Sequence, residues 1–447
     1  MSYGVLALMI LGTIIGGLLQ NSVNTVLPNI MAEASVTVGQ GQWLVSIFGL
    51  CLGIVVPLAA YFVRRFDMKS LFLVAMALFT VGTFLIAVAP DFAPMLIGRL
   101  LEGVGTGIMF PLIQVAVFQN YPRERWGTIM GVCGLAFGFA PNIGPTIAGI
   151  FAQAWGWRSI FWACGILSAA VTLAMLLLLP HMPGKGSAQR LDWPSVALSS
   201  IAFGGVLYGL TSATDEGFIS AFCLVPLICG IACLVLFIVR QRRIPNPLWD
   251  LDAFHNRDFS VGTIMICLLF AAFISVTLVL PLGLMEVQGF STLEAGMSLL
   301  PGALAALIMN PLSGIAMDRI GTRPVICLGA VLLLAGSIPM MQLGELNDLG
   351  YIMLLQGVRA LGISTLIQPI STWSVRTLTG PLIPDGTAIS NTLRQVAGSF
   401  GVSIAVLLMS IGGAVGSVSA FGVDLAIAFS TICTAILLAL SLVYVRS

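Results

Sequence analysis

Fourteen long apolar runs dominate this sequence of 447 residues. A helix needs about 20 apolar residues to cross a bilayer, and each run has roughly that length between its charges and Pro/Gly breaks. We expect the first run to be a span rather than a cleaved signal peptide, because it lacks a basic leader, is too long and precedes further spans. The sequence therefore predicts an all-α polytopic membrane protein. The runs cover residues 4–27, 43–62, 71–89, 95–118, 127–152, 160–179, 194–211, 218–239, 259–282, 295–317, 324–343, 350–373, 386–411 and 421–445.

The composition excludes several other classes of protein. Apolar residues make up 58% of the chain and charged residues 8%, whereas soluble domains average about 25% charged residues. This excludes a soluble globular protein, a disordered chain and a nucleic-acid binder. The nine cysteines all lie inside apolar runs, so we predict neither disulfides nor a metal site. Without a nucleotide-binding loop or a histidine inside a span, we expect a protein that is not an enzyme and has no cofactor.

Basic residues alternate between the loops. Of the 19 Lys and Arg residues, fifteen fall in one alternating set of loops, and Arg158 alone falls in the other, which is acidic instead. Cytoplasmic loops are enriched in Lys and Arg, so we expect a multi-pass protein of the cell (inner or plasma) membrane with both termini in the cytoplasm. The fifteen are Arg64, Arg65, Lys69, Arg123, Arg125, Lys185, Arg190, Arg240, Arg242, Arg243, Arg257, Arg319, Arg323, Arg376 and Arg446.

The chain also repeats itself. Ala60-x-x-x-Arg64-Arg65-x-Asp67-x-Lys69 follows the second run, and Gly314-x-x-x-Asp318-Arg319-x-Gly321-x-Arg323 follows the tenth, 254 residues later. We interpret runs 1–6 and 9–14 as two six-helix units, at residues 1–180 and 259–447. Residues 181–258 would then hold linkers and two inserted helices. Such parallel repeats are typical of transporters whose substrate path runs between the halves.

Five segments in order along the chain carry recognisable motifs: Gln20–Pro28, Leu96–Gly103, Gly138–Gly149, Gly314–Arg323 and Asn391–Ser399. Together they resemble the major facilitator superfamily, and within it the fourteen-helix drug:proton antiporter branch, especially its lincomycin-efflux-type exporters. The resemblance covers nearly the whole chain. Three positions depart from the family pattern. In the first loop motif Arg64 stands in place of Asp and Asp67 in place of Gly, and Leu19 stands where many relatives carry an acid on the first span.

The resemblance implies the major facilitator fold, with two six-helix bundles plus two inserted helices. It also implies a secondary active exporter that exchanges protons for lipophilic drugs or antibiotics by alternating access. The alternative is a specific exporter or uniporter of a single metabolite or lipid. A channel fits the repeat less well, because no filter motif or ring of like charges is present. The expected partners are a lipophilic small molecule and membrane lipid, and the expected state is a monomer.

Charged residues inside spans are few and costly to insert, so each is a candidate functional residue. Glu102 lies three residues after Arg99, on the same helix face. One hypothesis makes Glu102 the proton-coupling acid with Arg99 as its partner. The alternative is a permanent structural ion pair. For Arg359 we favour a place in the substrate cavity over a snorkelling position at the membrane interface.

Polar side chains inside spans must face other helices or a cavity. The candidate cavity residues are Gln20, Asn21, Asn24, Thr106, Gln114, Asn142, Asn310, Gln356, Arg359, Gln368 and Asn391, although about half of such residues are expected to be interhelical links.

The motifs predict two further groups of functional residues, a cytoplasmic gate and an antiporter helix. The loop motifs predict a cytoplasmic gate, with its ion-pair latch at Asp318 and Arg319 because the first-half copy is degenerate. The run of Gly and Pro in the fifth span predicts a bent, tightly packed antiporter helix. The gate residues are Gly314, Asp318, Arg319, Arg323, Arg64, Arg65 and Asp67, and the helix-motif residues are Gly138, Pro141, Gly144, Pro145 and Gly149.

Overall fold

The computed structural model describes residues 3–178, 192–216, 220–245, 247–346, 348–380, 382–411 and 419–445. Fourteen helices in this part of the chain are long and apolar enough to cross a membrane. They are α1 (Tyr3–Ala34), α2 (Val38–Arg65), α3 (Met68–Val88), α4 (Phe92–Asn120), α5 (Arg123–Trp155), α6 (Arg158–Leu178), α7 (Trp193–Glu216), α8 (Ala221–Gln241), α9 (Arg257–Glu286), α10 (Glu294–Ile320), α11 (Thr322–Met340), α12 (Leu349–Arg376), α13 (Leu382–Met409) and α14 (Ala420–Tyr444).

The predicted fold class is confirmed, because the described residues form helices without strands and each predicted span coincides with one helix. Some helices extend past their apolar runs. Helix α1 continues to Ala34, and near this end Glu33 accepts hydrogen bonds from Trp157 (2.6 Å) and Arg158 (2.5 Å). The predicted basic residues Lys185, Arg190 and Arg446, and most of the predicted linker at 181–193, lie outside the described residues.

Side chains close several helix starts. Thr37 and Gln40 form a reciprocal capping box at the start of α2, and Asp67 accepts the Ser70 N–H at the start of α3. Asn256 and Ser419 cap α9 and α14 in the same way. These bonds satisfy backbone donors that a helix leaves free at its first turn.

Helix packing repeats between the two halves of the chain. Helix α1 packs on α5 and α6, α2 packs on α4, and α3 packs on α4 and α6. In the second half, α9 packs on α13 and α14, α10 packs on α12, and α11 packs on α12 and α14. The halves meet mainly where α2 contacts α13 and α5 contacts α10. The division into domains at residues 180 and 258 stays a prediction.

Helices α7 and α8 form a hairpin that packs on α2 and α13. Trp249, which follows α8, donates from Nε1 to the Pro57 carbonyl (2.9 Å), and the Ser403 hydroxyl donates to the Leu210 carbonyl (2.8 Å). At one end of the hairpin, hydrogen bonds from Arg240 at 2.8 Å hold the pKa of Asp192 well below its ordinary value, at about 2. The hairpin is thus fastened to both halves.

Candidate functional site

The two halves are joined at the end of the bundle that carries Arg64, Arg123, Arg319 and Arg376, which we call the basic end. Here Asp318, near the end of α10, accepts hydrogen bonds from the backbone N–H of Gly127 (2.9 Å) and Thr128 (2.6 Å) in the first turn of α5. A carboxylate is favoured at a helix N-terminus because the free N–H groups and the helix dipole are positive there. A Cβ atom on Gly127 would lie 2.6 Å from the Gly314 carbonyl oxygen, so this approach requires glycine.

The basic end has two corners, one where α10 meets α5 and one where α2 meets α13. The second has the opposite charge arrangement. Arg64, near the end of α2, forms an ion pair with Asp385 in the first turn of α13. Its other terminal nitrogen donates to the carbonyls of Pro247 (3.2 Å) and Leu248 (3.0 Å). The sequence placed the ion-pair latch at Asp318 and Arg319 instead. The structure differs because an acid at the start of α13 compensates for the arginine that replaces the motif acid.

Other predicted gate residues form contacts within their own half. Asp67 caps α3, and Arg323 donates to the Leu442 carbonyl of its own half (3.1 Å). Arg65 and Arg319 are exposed. Of the seven predicted gate residues, the contacts between the halves therefore involve Arg64, Gly314 and Asp318. Arg123 adds a bond to the Leu378 carbonyl (3.3 Å).

Amide side chains join the halves deeper in the bundle. Asn391 of α13 donates to the Gln114 side chain of α4 (2.8 Å), and Asn310 of α10 donates to the Gly134 carbonyl of α5 (3.1 Å). Gln368 is 1% exposed, and both of its amide atoms lack a partner among the described residues. It lies against the same stretch of α5, since a Cβ on Gly134 would be 3.0 Å from its Cγ. Four predicted cavity residues thus lie at the interface.

A cleft lies on the other side of this amide layer, between α5, α9, α10 and α12. Its free volume is about 30 Å³, far below the roughly 300–1,000 Å³ of a drug-sized binding site. The cleft must therefore widen to admit such a ligand. No lining side chain is charged. The lining residues are Gly138, Asn142, Phe273, Thr277, Leu299, Gly302, Ala306, Gln356, Ala360, Ile363, Ser364 and Ile367.

Other candidate cavity residues lie away from the cleft. Asn21 donates to the Pro141 carbonyl (3.2 Å) within the first half, and Asn24 is exposed on α1. Thr106 is fully buried where α4 meets α1 at Gly16. Gln20 contributes its backbone carbonyl, which accepts from Arg99 (3.4 Å). Asn21 and the Gln20 carbonyl thus link helices within the first half.

The Arg99–Glu102 pair lies on the face of α4 that packs against α1, α2 and α3. Arg99 is 1% exposed and Glu102 is fully buried. Arg99 donates to Glu102 (2.7 Å) and to the carbonyls of Leu44 (2.9 Å) and Leu19 (3.4 Å). The other Glu102 oxygen accepts from the Thr83 hydroxyl of α3 (2.8 Å). The pair is therefore sealed inside the first half.

Arg359 occupies the related place in the second half. The sequence favoured the substrate cavity for it, but the structure buries it completely among α9, α11 and α14. It donates to the Ser337 hydroxyl (3.0 Å), the Ala272 carbonyl (2.6 Å) and the Ser430 hydroxyl (2.8 Å). The difference arises because its helix face points into the second half rather than toward α5.

Helix α5 changes partners along its length. Its first turns pack on α10, and Ala140–Trp155 pack on α1. Between these parts lies a π-helical turn, Leu135–Phe139, followed by Pro141 and Pro145, which lack backbone donors. Gly144 allows the approach to α1, since a Cβ there would lie 2.9 Å from the Ser22 hydroxyl. Of the predicted motif residues, Gly138 lines the cleft and Gly149 makes only ordinary contacts.

Sequence reasoning missed two residues that the structure brings to these sites: Thr83 and Asp385. Asp385 had a signal, since the Asp385-Gly386-Thr387 start of α13 corresponds to the Gly127-Thr128 start of α5 that receives Asp318. Thr83 had none, because a single threonine in an apolar run is common.

The chain resembles known transporters over most of its length. Residues 9–402 match the family model described as Major Facilitator Superfamily. The MFS-type transporter YcnB of Bacillus subtilis is 36% identical over 91% of this chain and 86% of its own. The lincomycin resistance protein LmrB of Listeria monocytogenes is 32% identical over the same shares. The multidrug resistance protein B homolog of Mycobacterium tuberculosis is 27% identical over 88% of this chain and 76% of its own.

The fold is also found among solved structures. The human organic anion transporter MFSD10 superposes with a TM-score of 0.72, covering 98% of each chain at 14% sequence identity. At this identity the likeness concerns the fold alone.

Proposed function

The chain belongs to the Major Facilitator Superfamily, and from this membership we propose that it exports lipophilic drugs or antibiotics in exchange for protons. It is a polytopic membrane transporter with fourteen candidate spans. Relatives at 27–32% identity that carry lincomycin-resistance and multidrug-resistance names support an export role. In this proposal both halves of the substrate path come from one chain, which acts as a monomer.

The observation that carries the proposal is the interface between the halves. Two related corners, at Asp318 and at Arg64, close the basic end, and an uncharged cleft lies beyond the amide layer. Such an arrangement suits alternating access, in which two repeats rock about a central site. By the positive-inside rule the basic end faces the cytoplasm, so the closed corners would form the cytoplasmic gate.

Glu102 is our candidate for the coupling acid. It is a fully buried carboxylate, and a single partner, Arg99, balances its charge. Because α4 also contacts α13 of the other half, rocking of the halves can change the packing of α4 and open a path to Glu102. Protonation in one state and release in the other would then couple the ion to transport.

The test is proton flux in liposomes that contain a pH-sensitive dye. An imposed pH gradient and chemically unrelated lipophilic compounds should give compound-dependent proton flux with the wild type. The Glu102→Gln variant should lose this flux, while Glu124→Gln, the same change at an exposed position in the first turn of α5, should keep it. Flux that survives Glu102→Gln would remove the coupling role from this residue.

The alternative function is export or uniport of a single metabolite or lipid. Transport without proton flux for every compound would favour a uniporter. Competition separates the remaining cases, because a multidrug pump would be inhibited by many unrelated compounds and a specific exporter by close analogues of one.

A further inference from the structure

Arg394 is a buried cation without a counter-charge. It lies on α13, is 8% exposed, and places its guanidinium carbon 5.5 Å from the centre of the Phe137 ring and 5.0 Å from that of Phe270. Within the described part of the chain, no carboxylate lies at ion-pair distance from it and no hydrogen bond is formed by its guanidinium.

The other two arginines inside spans form hydrogen bonds with the protein, although Nη1 of Arg359 has no partner among the described residues. Arg99 has Glu102 and backbone carbonyls, and Arg359 has a carbonyl and two hydroxyls. An isolated charge inside a membrane protein is costly and is retained where it faces a cavity or binds a charged partner. Cation–π contacts with the ring faces supply only part of the missing stabilisation. Arg394 is therefore left with unused charge and hydrogen-bonding capacity.

Its position connects it with the cleft. The Phe270 ring, which covers the guanidinium, contacts the Phe273 ring at 6.2 Å, and Phe273 lines the cleft. On the other side, Phe137 directly precedes Gly138, which also lines the cleft. The two rings belong to different halves, since Phe137 is on α5 and Phe270 is on α9. Arg394 thus lies one aromatic layer from an uncharged cleft, at a point where movement of the halves would separate the rings.

We propose that Arg394 is an anion-binding subsite of this cleft, which takes the acidic group of a lipophilic organic anion while the surrounding phenylalanine rings take its apolar body. This inference rests on the proposed export function for its physiological meaning, but the binding site itself can be tested without transport. Any anion beside Arg394 gains the attraction of a charge that the protein leaves unpaired, and a carboxylate or sulfonate gains charge-assisted hydrogen bonds in addition. A lipophilic cation gains nothing there and is repelled by the guanidinium.

Two probes of nearly equal size and shape separate charge from hydrophobicity: tetraphenylborate, an anion, and tetraphenylphosphonium, a cation. Equilibrium binding would be measured with the full chain in zwitterionic lipid nanodiscs, after subtraction of binding to empty discs. We expect the wild type to bind the borate more tightly. Because the attraction between opposite charges is strong at short distance away from bulk water, Arg394→Gln should weaken borate binding by at least about tenfold.

Three controls complete the test. Arg394→Lys should retain part of the preference for the borate, because it keeps the charge. Arg376→Gln, which removes a charge at an exposed position, should leave it unchanged. Size-exclusion profiles and phosphonium binding by Arg394→Gln report on its fold. Adding phosphatidylglycerol to the discs tests the source of the anion: competition with the borate assigns the subsite to a lipid phosphate, and no competition assigns it to a soluble organic anion.

The inference fails if Arg394→Gln binds the borate as the wild type does, or if the wild type prefers the phosphonium. Proton-gradient-driven transport is measured separately in liposomes. Transport together with an unchanged borate affinity in Arg394→Gln would overturn the subsite and leave the exporter proposal standing. Borate binding that depends on Arg394 without any transport would do the reverse.

Discussion

The Arg64–Asp385 ion pair offers a direct way to disturb the closed basic end. Asp385 is 1% exposed and Arg64 15% exposed. Loss of one partner from a fully buried pair costs about 3–5 kcal/mol. Arg64 keeps two carbonyl acceptors, at Pro247 and Leu248, and some access to water. We therefore expect Asp385→Asn to destabilise the closed corner by about 2 kcal/mol, which is roughly thirtyfold in the closing equilibrium.

Hydrogen exchange measured by mass spectrometry can detect this shift, because local exchange follows the population of the open form. In Asp385→Asn, exchange should rise in peptides over residues 386–389. It should also rise over residues 127–130, where Gly127 and Thr128 donate to Asp318, since both corners close the same interface. Asp252→Asn, the same change at an exposed position, should leave both peptides unchanged.

Reversing the charges gives a stricter test of the same contact. Arg64→Asp alone brings two carboxylates together and should open the corner further. Combining Arg64→Asp with Asp385→Arg should restore much of the protection. Unchanged exchange over residues 127–130 in Asp385→Asn would refute the idea that the two corners act as one gate.

Three other changes test single contacts. Gly127→Ala places a methyl group against α10 and should weaken the contact between α5 and α10 at the basic end. Hydrogen exchange over residues 127–130 should then be faster. Unchanged exchange would mean that the two helices accommodate the methyl group without weakening the contact. Arg99→Gln leaves the Glu102 carboxylate buried without its cation, whereas in Glu102→Gln the arginine still has its carbonyl acceptors. Arg99→Gln should therefore lower the unfolding temperature more than Glu102→Gln. Equal decreases in a thermal melt would contradict this. The Asp192–Arg240 pair should hold the α7–α8 hairpin at every pH above about 4. Because the folded pKa of Asp192 is depressed to about 2, the stabilisation by this pair is lost as the pH falls from about 4 toward 2. Limited proteolysis of the hairpin should increase over this range. Unchanged cleavage would mean that the pair contributes nothing.

The fold was predictable because the length of the spans and the alternation of basic loops can be read from the sequence without knowing which helices are neighbours. Each apolar run corresponds to one helix. Local rules suffice here, since a run of about 20 apolar residues must be helical in a bilayer whatever its neighbours are.

The contacts of individual polar residues were less predictable. Gln114, Asn310 and Asn391 lie between the halves, whereas Asn21 and Asn24 do not. A membrane helix carries apolar residues on its lipid face and on its protein face, so periodicity does not reveal which face is inward. The Arg64–Asp385 pair was hidden for another reason, because its partners are 321 residues apart in the chain.

The two halves share a fold but differ in charge, and glycine packing explains part of the difference. In the first half Arg99 is balanced by Glu102, three residues later on α4. In the second half the residue three positions after Arg359 is Gly362, and α11 approaches it so closely that a Cβ there would lie 2.7 Å from the Gly329 carbonyl oxygen and from the Leu333 Cα. An acid at this place would force α11 and α12 apart, so Arg359 must be held by hydroxyls and a carbonyl instead. If Glu102 is the coupling acid and Arg394 an anion subsite, as proposed above, the proton and the anion bind in different halves of the chain. Movement of the halves would then change the surroundings of both.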